Sequence, residues 1–184
     1  MNRRWLGAGV GGLPAVIGVL TFWLWIVSPS TTDLDGHVEV ADAVVLFVGG
    51  RGERLDMALD LLDDEVAPAL VIPNGWAPEW PAANEVCAST DRSFEVFCPV
   101  PDPDNTRGEA QLIAAMAQER GWDSLLYVTS DYHIARAGHL LDECFDGRIR
   151  AVSADSDLGG FGWLRQAARE WVGNVVVRSI ERGC

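Results

Sequence analysis

Apolar runs that alternate with stretches of helical spacing are the feature of this sequence that most narrows its fold. Residues 43–48 read Ala-Val-Val-Leu-Phe-Val, and such a run is typical of a strand buried on both faces. Glycines end the run, and apolar side chains then recur with the spacing of an amphipathic helix, at Leu55, Ala58, Leu59 and Leu62. The sequence therefore predicts a strand followed by a helix that packs against it.

The same alternation continues to the end of the chain. Further strands are predicted at residues 69–72, 94–97, 125–129 and 148–152. A helical turn is predicted at residues 83–87, and helices at 106–120, 132–144 and 161–180. Because no Asn-Gly or Asp-Gly hairpin joins two strands, we expect an α/β fold in three layers, with a mostly parallel sheet between helices. Ligands bind such sheets at the carboxyl ends of the strands.

An uncharged apolar segment precedes this domain. Residues 5–27 contain no charged side chain, and as a helix they would span about 34 Å, enough to cross a hydrocarbon core of about 30 Å. Tryptophans lie near both ends of the segment, where indoles favour the membrane interface. Arg3 and Arg4 should remain cytoplasmic by the positive-inside rule, which sends the rest of the chain outward.

Three other interpretations fit the segment less well. A cleaved signal peptide has a shorter apolar core and a small-x-small cleavage site. A buried core helix would need more apolar surroundings than the chain supplies, and a lipoprotein signal needs a cysteine directly after the run, whereas the first is Cys87. We therefore predict a single-pass anchor in the cell membrane (1–27), a linker (28–40) and one extracytoplasmic domain (41–184).

Charge and residue type exclude several functions. The chain carries 27 acidic and 14 basic residues, a net charge of −13, and it has no basic patch, so a nucleic-acid partner is not expected. All of the basic residues are arginine. A phosphate-loop lysine, a Schiff base and a lysine general base are therefore excluded.

The four cysteines predict two disulfides. No pair has Cys-x-x-Cys spacing, which argues against a zinc knuckle or a thioredoxin-type site, and an exported domain favours disulfides. Of three pairings we favour Cys87 with Cys98, which closes a short loop, and Cys144 with Cys184. Four buried thiols are the alternative.

Three segments at strand ends or helix starts carry the candidate site. In the first, Gly49 and Gly50 let the backbone approach a ligand, and Arg54 lies at the start of a helix that favours an anion. A merely tight turn is the alternative. The segment is neither a dinucleotide fingerprint nor a Walker loop, because the third glycine and the lysine are missing.

The second segment begins the helix at residue 106. Thr106 and Glu109 have the spacing of a capping box, and Asn105 precedes them at the same helix mouth. A capping box that satisfies the backbone of the helix is the simplest interpretation of this spacing, but it does not account for Asn105 or Arg107.

In the third segment, Thr129 and Ser130 end a buried strand, and Ser130 is placed to cap the next helix. His133 and Arg136 are three residues apart on one face of that helix. A histidine and an arginine beside free helix-end N–H groups form a plausible oxyanion or phosphate site.

Taken in order, these segments resemble a known family. The residues Gly49-Gly50, Arg54-x-x-x-Ala58, Asn74-Gly75, Asn105-Thr106 and Thr129-Ser130-x-Tyr132-His133-x-x-Arg136-Ala137 are similar to the pattern of the YdcF-like domain family, over about residues 42–152. That family includes the SanA and ElyC envelope proteins of bacteria, and the cysteines and Thr106-Arg107-Gly108-Glu109-Ala110 look like its actinobacterial branch. One departure is that many relatives carry glutamate where this chain has Gly108.

The resemblance implies a Rossmann-like α/β/α domain, often behind one membrane-spanning helix, with a role in envelope and peptidoglycan-precursor homeostasis. A cytoplasmic relative is reported to bind S-adenosylmethionine. The family's polar cluster corresponds to nine residues of this chain: Gly49, Gly50, Arg54, Asn105, Thr106, Thr129, Ser130, His133 and Arg136. Neither the resemblance nor the sequence leads us to predict a cofactor or a required metal, although Glu109 and Asp131 are candidate cation ligands.

Three functions follow from these patterns. The first is an enzyme that acts on a phosphorylated or lipid-linked envelope intermediate, with Arg54 and Arg136 holding the anion and His133 or Glu109 as acid or base, the histidine near its natural pKa. The second is a non-catalytic module that binds a nucleotide-like or sugar-phosphate ligand in the same cleft. The third is a structural partner of an envelope complex, which would use exposed aromatic side chains such as Trp76, Trp80 and Trp163.

Overall fold

The structure is a computed structural model that describes residues 40–49, 52–154, 158–179 and 184. The predicted anchor and nearly all of the linker lie outside these ranges, as does Gly50. Within the described ranges, no helix combines the length and the apolar character needed to cross a membrane.

Five parallel strands form one sheet in the order β3-β2-β1-β4-β5. They are β1 (Ala43–Leu46), β2 (Ala69–Val71), β3 (Glu95–Phe97), β4 (Ser124–Ser130) and β5 (Arg148–Ala154). All five lie where the apolar runs predict them, and the mostly parallel α/β sheet is confirmed. In the centre of the sheet, Val45 of β1 pairs with Val71 on one side and Tyr127 on the other.

Helices cover both faces of the sheet. They are α1 (Glu53–Asp63), α2 (Pro81–Ala88), α3 (Thr106–Arg120), α4 (Ile134–Cys144) and α5 (Gly160–Ser179), and a 3-10 turn (Asp131–His133) leads into α4. Side chains alternate along β1, so that Val44 and Leu46 pack in one cluster with α1 and α2. Val45 and Phe47 pack in another with α3, α4 and α5. This arrangement is a Rossmann-like α/β/α sandwich.

Both predicted disulfides are present. Cys87 in α2 is bonded to Cys98 just after β3, and Cys144 at the end of α4 is bonded to the final residue, Cys184. The first disulfide packs against Gly75, where a Cβ atom would lie 2.4 Å from the sulfur of Cys87. A side chain at residue 75 would therefore displace the disulfide.

Candidate functional site

The candidate site lies at the carboxyl ends of β1 and β4. The strand order reverses between these neighbours, because β1 leads on to β2 on one side and β4 to β5 on the other. Loops that leave the sheet at such a point diverge and open a crevice, which is where ligands bind in open α/β sheets.

Arg54 ties the ends of these two strands together. Its guanidinium donates from Nη1 to the carbonyl oxygens of Phe47 and Val48, both at 2.8 Å, and from Nε to the hydroxyl of Ser130 at 2.9 Å. Because the side chain is only 3% exposed, these contacts satisfy donors that would be costly to bury alone. Two of the three guanidinium nitrogens, Nε and Nη1, therefore donate to groups of the protein itself.

Gly49 and Ser130 complete this part of the site. Gly49 has a φ of 125°, and a Cβ there would lie 3.0 Å from Nη1 of Arg54, so both the backbone and the arginine require glycine. Ser130 lies at the predicted N-cap position, before the 3-10 turn, but its side chain makes no capping hydrogen bond. Its hydroxyl accepts from Arg54 and donates to Glu53 at 3.3 Å, because the buried arginine competes for the same oxygen.

The start of α3 differs from the predicted capping box. Asn105 is the N-cap, and its side-chain oxygen accepts from the backbone N–H groups of Arg107 at 3.1 Å and Gly108 at 3.0 Å. Thr106 is already helical, and its hydroxyl accepts instead from Nη1 of Arg136 at 2.8 Å. The capping-box prediction was therefore wrong by one residue, and Glu109 is not held back against the cap.

Glu109 instead reaches the end of β1. Its Oε1 atom accepts from the backbone N–H of Val48 at 3.3 Å, while its Oε2 atom is buried without a hydrogen-bond partner. Burial raises the pKa of this carboxyl to about 7, against the opposing effects of the Val48 N–H and the charges of Arg54 and Arg136. A large fraction of Glu109 is therefore protonated at neutral pH.

The second half of the site is built around Glu170 on α5. Arg136 donates from Nε to Oε2 of Glu170 at 2.6 Å and from Nη2 to Oε1 at 3.0 Å, which is a bidentate ion pair. His133 places Nδ1 3.0 Å from the same Oε2. Gly173, one turn later, leaves room for the arginine, since a Cβ there would lie 3.1 Å from Cδ of Arg136.

The ionisation of this cluster is set by its internal contacts. Burial disfavours the charged form of Glu170, but hydrogen bonds from His133 and Arg136 outweigh it and lower its pKa to about 2. For His133, burial lowers the pKa, and the charge of Arg136 adds to the effect against the attraction of Glu170. The expectation that His133 titrates near its natural pKa is therefore corrected: it is neutral at physiological pH.

The predicted residues thus form two linked groups. Gly49, Arg54 and Ser130 join the ends of β1 and β4, whereas His133 and Arg136 both contact Glu170, and Thr106 joins them through its hydrogen bond from Arg136. Glu109 contacts the end of β1 through the Val48 N–H, and the charges of Arg54 and Arg136, one from each group, both act to lower its pKa. Asn105 is exposed and occupied as a cap, and Thr129 is fully buried with its hydroxyl unpartnered.

Glu170 is a residue of this cluster that the sequence did not single out. It lies in a polar stretch of the last helix, outside every recognisable motif and outside the region of family resemblance. The sequence offers one faint signal, the small residue Gly173 three positions later on the same helical face.

Other side chains considered from the sequence lie elsewhere. Trp76 is half exposed and Trp80 packs against the core, whereas the side chain of Trp163 is outside the described residues. Among the residues described, no three His, Cys, Asp or Glu side chains are grouped as a metal site.

Fold and site together define a Rossmann-like α/β protein with two disulfides and a buried, partly protonated polar cluster at its topological switch point. No model of a known protein family matches this chain, and no curated protein matches it. The likeness to the YdcF-like family stays a prediction from the residues quoted above.

Proposed function

We propose that this chain is a membrane-anchored, extracytoplasmic protein of cell-envelope homeostasis, related to the YdcF-like family. In this proposal the strand-end site binds a phosphorylated envelope metabolite, such as a polyprenyl phosphate or a peptidoglycan precursor. The anchor at residues 5–27 would hold the site near the outer face of the membrane, where lipid-linked phosphates are found.

The observation that carries the proposal is the buried carboxyl of Glu109 at the end of β1, whose Oε1 atom accepts from the Val48 N–H while its Oε2 atom has no hydrogen-bond partner. An ionised carboxylate would repel a phosphate, but a carboxyl with a pKa of about 7 can remain protonated and donate a hydrogen bond from its unpartnered oxygen. Arg54 adds positive charge and α1 adds a helix N-terminus at the same strand ends. A neutral acid beside positive charge suits a ligand that is itself anionic.

The test is the pH dependence of ligand binding to the full chain in detergent micelles. Farnesyl phosphate is the probe, with farnesol as the matched compound that lacks the phosphate. Relative to Glu109→Gln, which stays a neutral donor at every pH, the affinity of the wild type should fall by about tenfold between about pH 6 and about pH 8, as Glu109 loses its proton. The wild-type affinity is divided by the affinity of Glu109→Gln at each pH. The protonation of the phosphate affects both proteins equally and therefore cancels in this ratio.

A control variant and a control ligand test whether the effect is specific to Glu109 and to the phosphate. Glu95→Gln, at an exposed carboxylate of β3, should bind with the affinity and pH dependence of the wild type. Equal binding of farnesyl phosphate and farnesol, or an unchanged affinity ratio across the pH range, would contradict the proposal. Sugar phosphates, nucleotides and S-adenosylmethionine then define which part of the ligand beyond the phosphate is recognised.

The anchor is tested separately in cells. The chain should sediment with membranes, resist extraction by alkaline carbonate, and lose its domain when protease is added outside the cytoplasmic membrane. Protection of a cytoplasmic control protein shows that the membrane is intact. If the domain is also protected under these conditions, the predicted extracytoplasmic orientation is contradicted.

A second candidate function is chemistry on the same ligand, and the contact between His133 and Glu170 favours it. A neutral histidine held by a carboxylate is a familiar arrangement of a general base. Incubation with sugar phosphates and polyprenyl phosphates, followed by mass spectrometry of the products, separates an enzyme from a binding module. Turnover should disappear in His133→Ala, whereas a binding module has no turnover to lose.

A further inference from the structure

Glu170 makes three contacts with the two functional side chains of the segment at residues 129–136, and their geometry is specific. One carboxylate oxygen lies 3.0 Å from Nδ1 of His133 and also accepts from Nε of Arg136, while the other accepts from Nη2 of Arg136. His133 is 3% exposed, and Glu170 is 8% exposed, so water does not compete effectively for these positions.

We infer that Glu170 is the positioning residue of the site: it holds His133 in the tautomer with the proton on Nδ1, so that Nε2 is the basic nitrogen. An ionised carboxylate has no proton to donate and can only accept. A neutral histidine facing it must therefore place its proton on Nδ1, and which nitrogen carries the proton is set by such contacts.

Arg136 allows one carboxylate to fix the tautomer without charging the ring. A lone carboxylate beside a histidine favours imidazolium, which has no basic nitrogen. Here the guanidinium engages both oxygens of Glu170 and compensates its charge, and burial also favours the neutral ring. Phe47 packs edge-on against the imidazole, with ring centroids 6.3 Å apart, which restricts its rotation.

In the reaction, Nε2 of His133 would take up or release a proton of the phosphorylated ligand or of an attacking water. Glu170 has this chemical role only if the site acts on the ligand proposed above. The orientation of the ring does not depend on that ligand, so it can be tested alone.

The experiment is nitrogen-15 NMR of the full chain in detergent micelles, with labelled histidine, at neutral pH. The chain contains three histidines, and the signal of His133 is assigned by its loss in His133→Gln. In the wild type, Nδ1 of His133 should have the shift of a protonated nitrogen and Nε2 that of an unprotonated one. In Glu170→Ala the ring should shift toward the Nε2–H tautomer, which predominates for histidine in water.

A matched control is Glu143→Gln, because Glu143 approaches the other described histidine, His139, at 3.7 Å. This variant should leave the His133 signals unchanged. A wild-type His133 that is protonated on Nε2 alone, or on both nitrogens, would overturn the inference, and this result needs no variant to fold. Retention of the Nδ1–H tautomer in folded Glu170→Ala would overturn it as well.

Failure here is distinct from failure of the proposed function. The tautomer is read without a ligand, whereas binding of the phosphate is read through Glu109.

Discussion

Arg136 and Glu170 lie 34 residues apart in the chain and form a bidentate ion pair, with Nε to Oε2 at 2.6 Å and Nη2 to Oε1 at 3.0 Å. The pair joins α4 to α5 and at the same time orders the site. It changes the expected role of Arg136, because a guanidinium engaged by a carboxylate and by Thr106 offers little free charge to an anionic ligand.

Removing one partner of this pair should destabilise the protein strongly. Arg136→Leu leaves the Glu170 carboxylate mostly buried without its main counter-charge, and the free energy of unfolding should fall by about 3 kcal/mol. Urea denaturation followed by tryptophan fluorescence measures the change. Arg92→Leu, at an exposed arginine packed over Phe94, should cost less than about 1 kcal/mol.

The double variant Arg136→Leu/Glu170→Gln tests the cause. If the loss comes from an uncompensated carboxylate, the double variant should be more stable than Arg136→Leu alone. Simple addition of the two single losses would contradict this explanation.

Gly108 should not tolerate any side chain. A Cβ at this position would lie 1.8 Å from the carbonyl oxygen of Pro103, so Gly108→Ala must displace the loop before α3 or the helix itself. We expect a loss of about 2–3 kcal/mol in unfolding free energy. Gly162→Ala is the matched control, because the nearest atom to its Cβ lies 3.7 Å away, and a helical alanine should be neutral or stabilising.

The close approach of Pro103 to residue 108 also concerns the departure from the family pattern, in which many relatives carry glutamate where this chain has Gly108. A glutamate at residue 108 would collide with Pro103, whereas the next residue, Glu109, places its carboxyl beside Val48. If Gly108→Ala were as stable as the wild type or more stable, as expected for an ordinary helical Gly→Ala change, the loop would adapt freely and glycine would not be required.

Glu109 should make stability depend on pH between about 4.5 and 7. Its pKa is about 7 in the folded protein and near its ordinary value of 4.5 when unfolded, so the folded state binds more protons in this range. The free energy of unfolding should therefore fall as pH rises, by at most about 3 kcal/mol, and level off above about pH 7. The measurement is the difference between wild type and Glu109→Gln at several pH values.

Other groups cancel in that difference. Glu170, with a pKa of about 2, stabilises the protein above the unfolded pKa and loses this effect as pH falls through about 2. His133 titrates alike in both proteins. A difference between them that stays constant from about pH 5 to about pH 8 would contradict the raised pKa of Glu109.

The two disulfides should differ in their contribution to stability. They join residues 11 and 40 positions apart. Loop-closure entropy then predicts losses of about 3 kcal/mol for Cys87→Ala/Cys98→Ala and about 4 kcal/mol for Cys144→Ala/Cys184→Ala. Non-reducing mass spectrometry of the intact chain should first show a mass lower by two hydrogens per disulfide. A full complement of free thiols would contradict both the pairing and the exported location.

Much of the fold was predictable because its signals are local. Continuous apolar runs specified the buried strands, and helical spacing specified α1 and α3 within a few residues of their observed bounds. The absence of hairpin turns predicted parallel pairing. The cysteine pairing was also accessible, since one pair closes a short loop.

The location of the site was predictable, but the hydrogen bonds and ion pairs between its side chains were not. The strand-end rule led to Gly49, Ser130 and His133 because the carboxyl ends of parallel strands share one edge. The caps were misassigned because local spacing cannot show that Arg54 competes for the hydroxyl of Ser130, or Arg136 for that of Thr106. Both arginines approach from other elements of the chain.

By itself, the sequence determined the alternation of strands and helices, the glycines at the strand ends and the residue types available for chemistry. Tertiary structure alone decided how those residues are charged. Glu109 and Glu170 are chemically identical, yet burial beside Val48 raises the pKa of the first to about 7, and hydrogen bonds from His133 and Arg136 lower that of the second to about 2. The free energy of a charge depends on desolvation and on neighbours that folding brings together, and neither is encoded within a few residues of the glutamate.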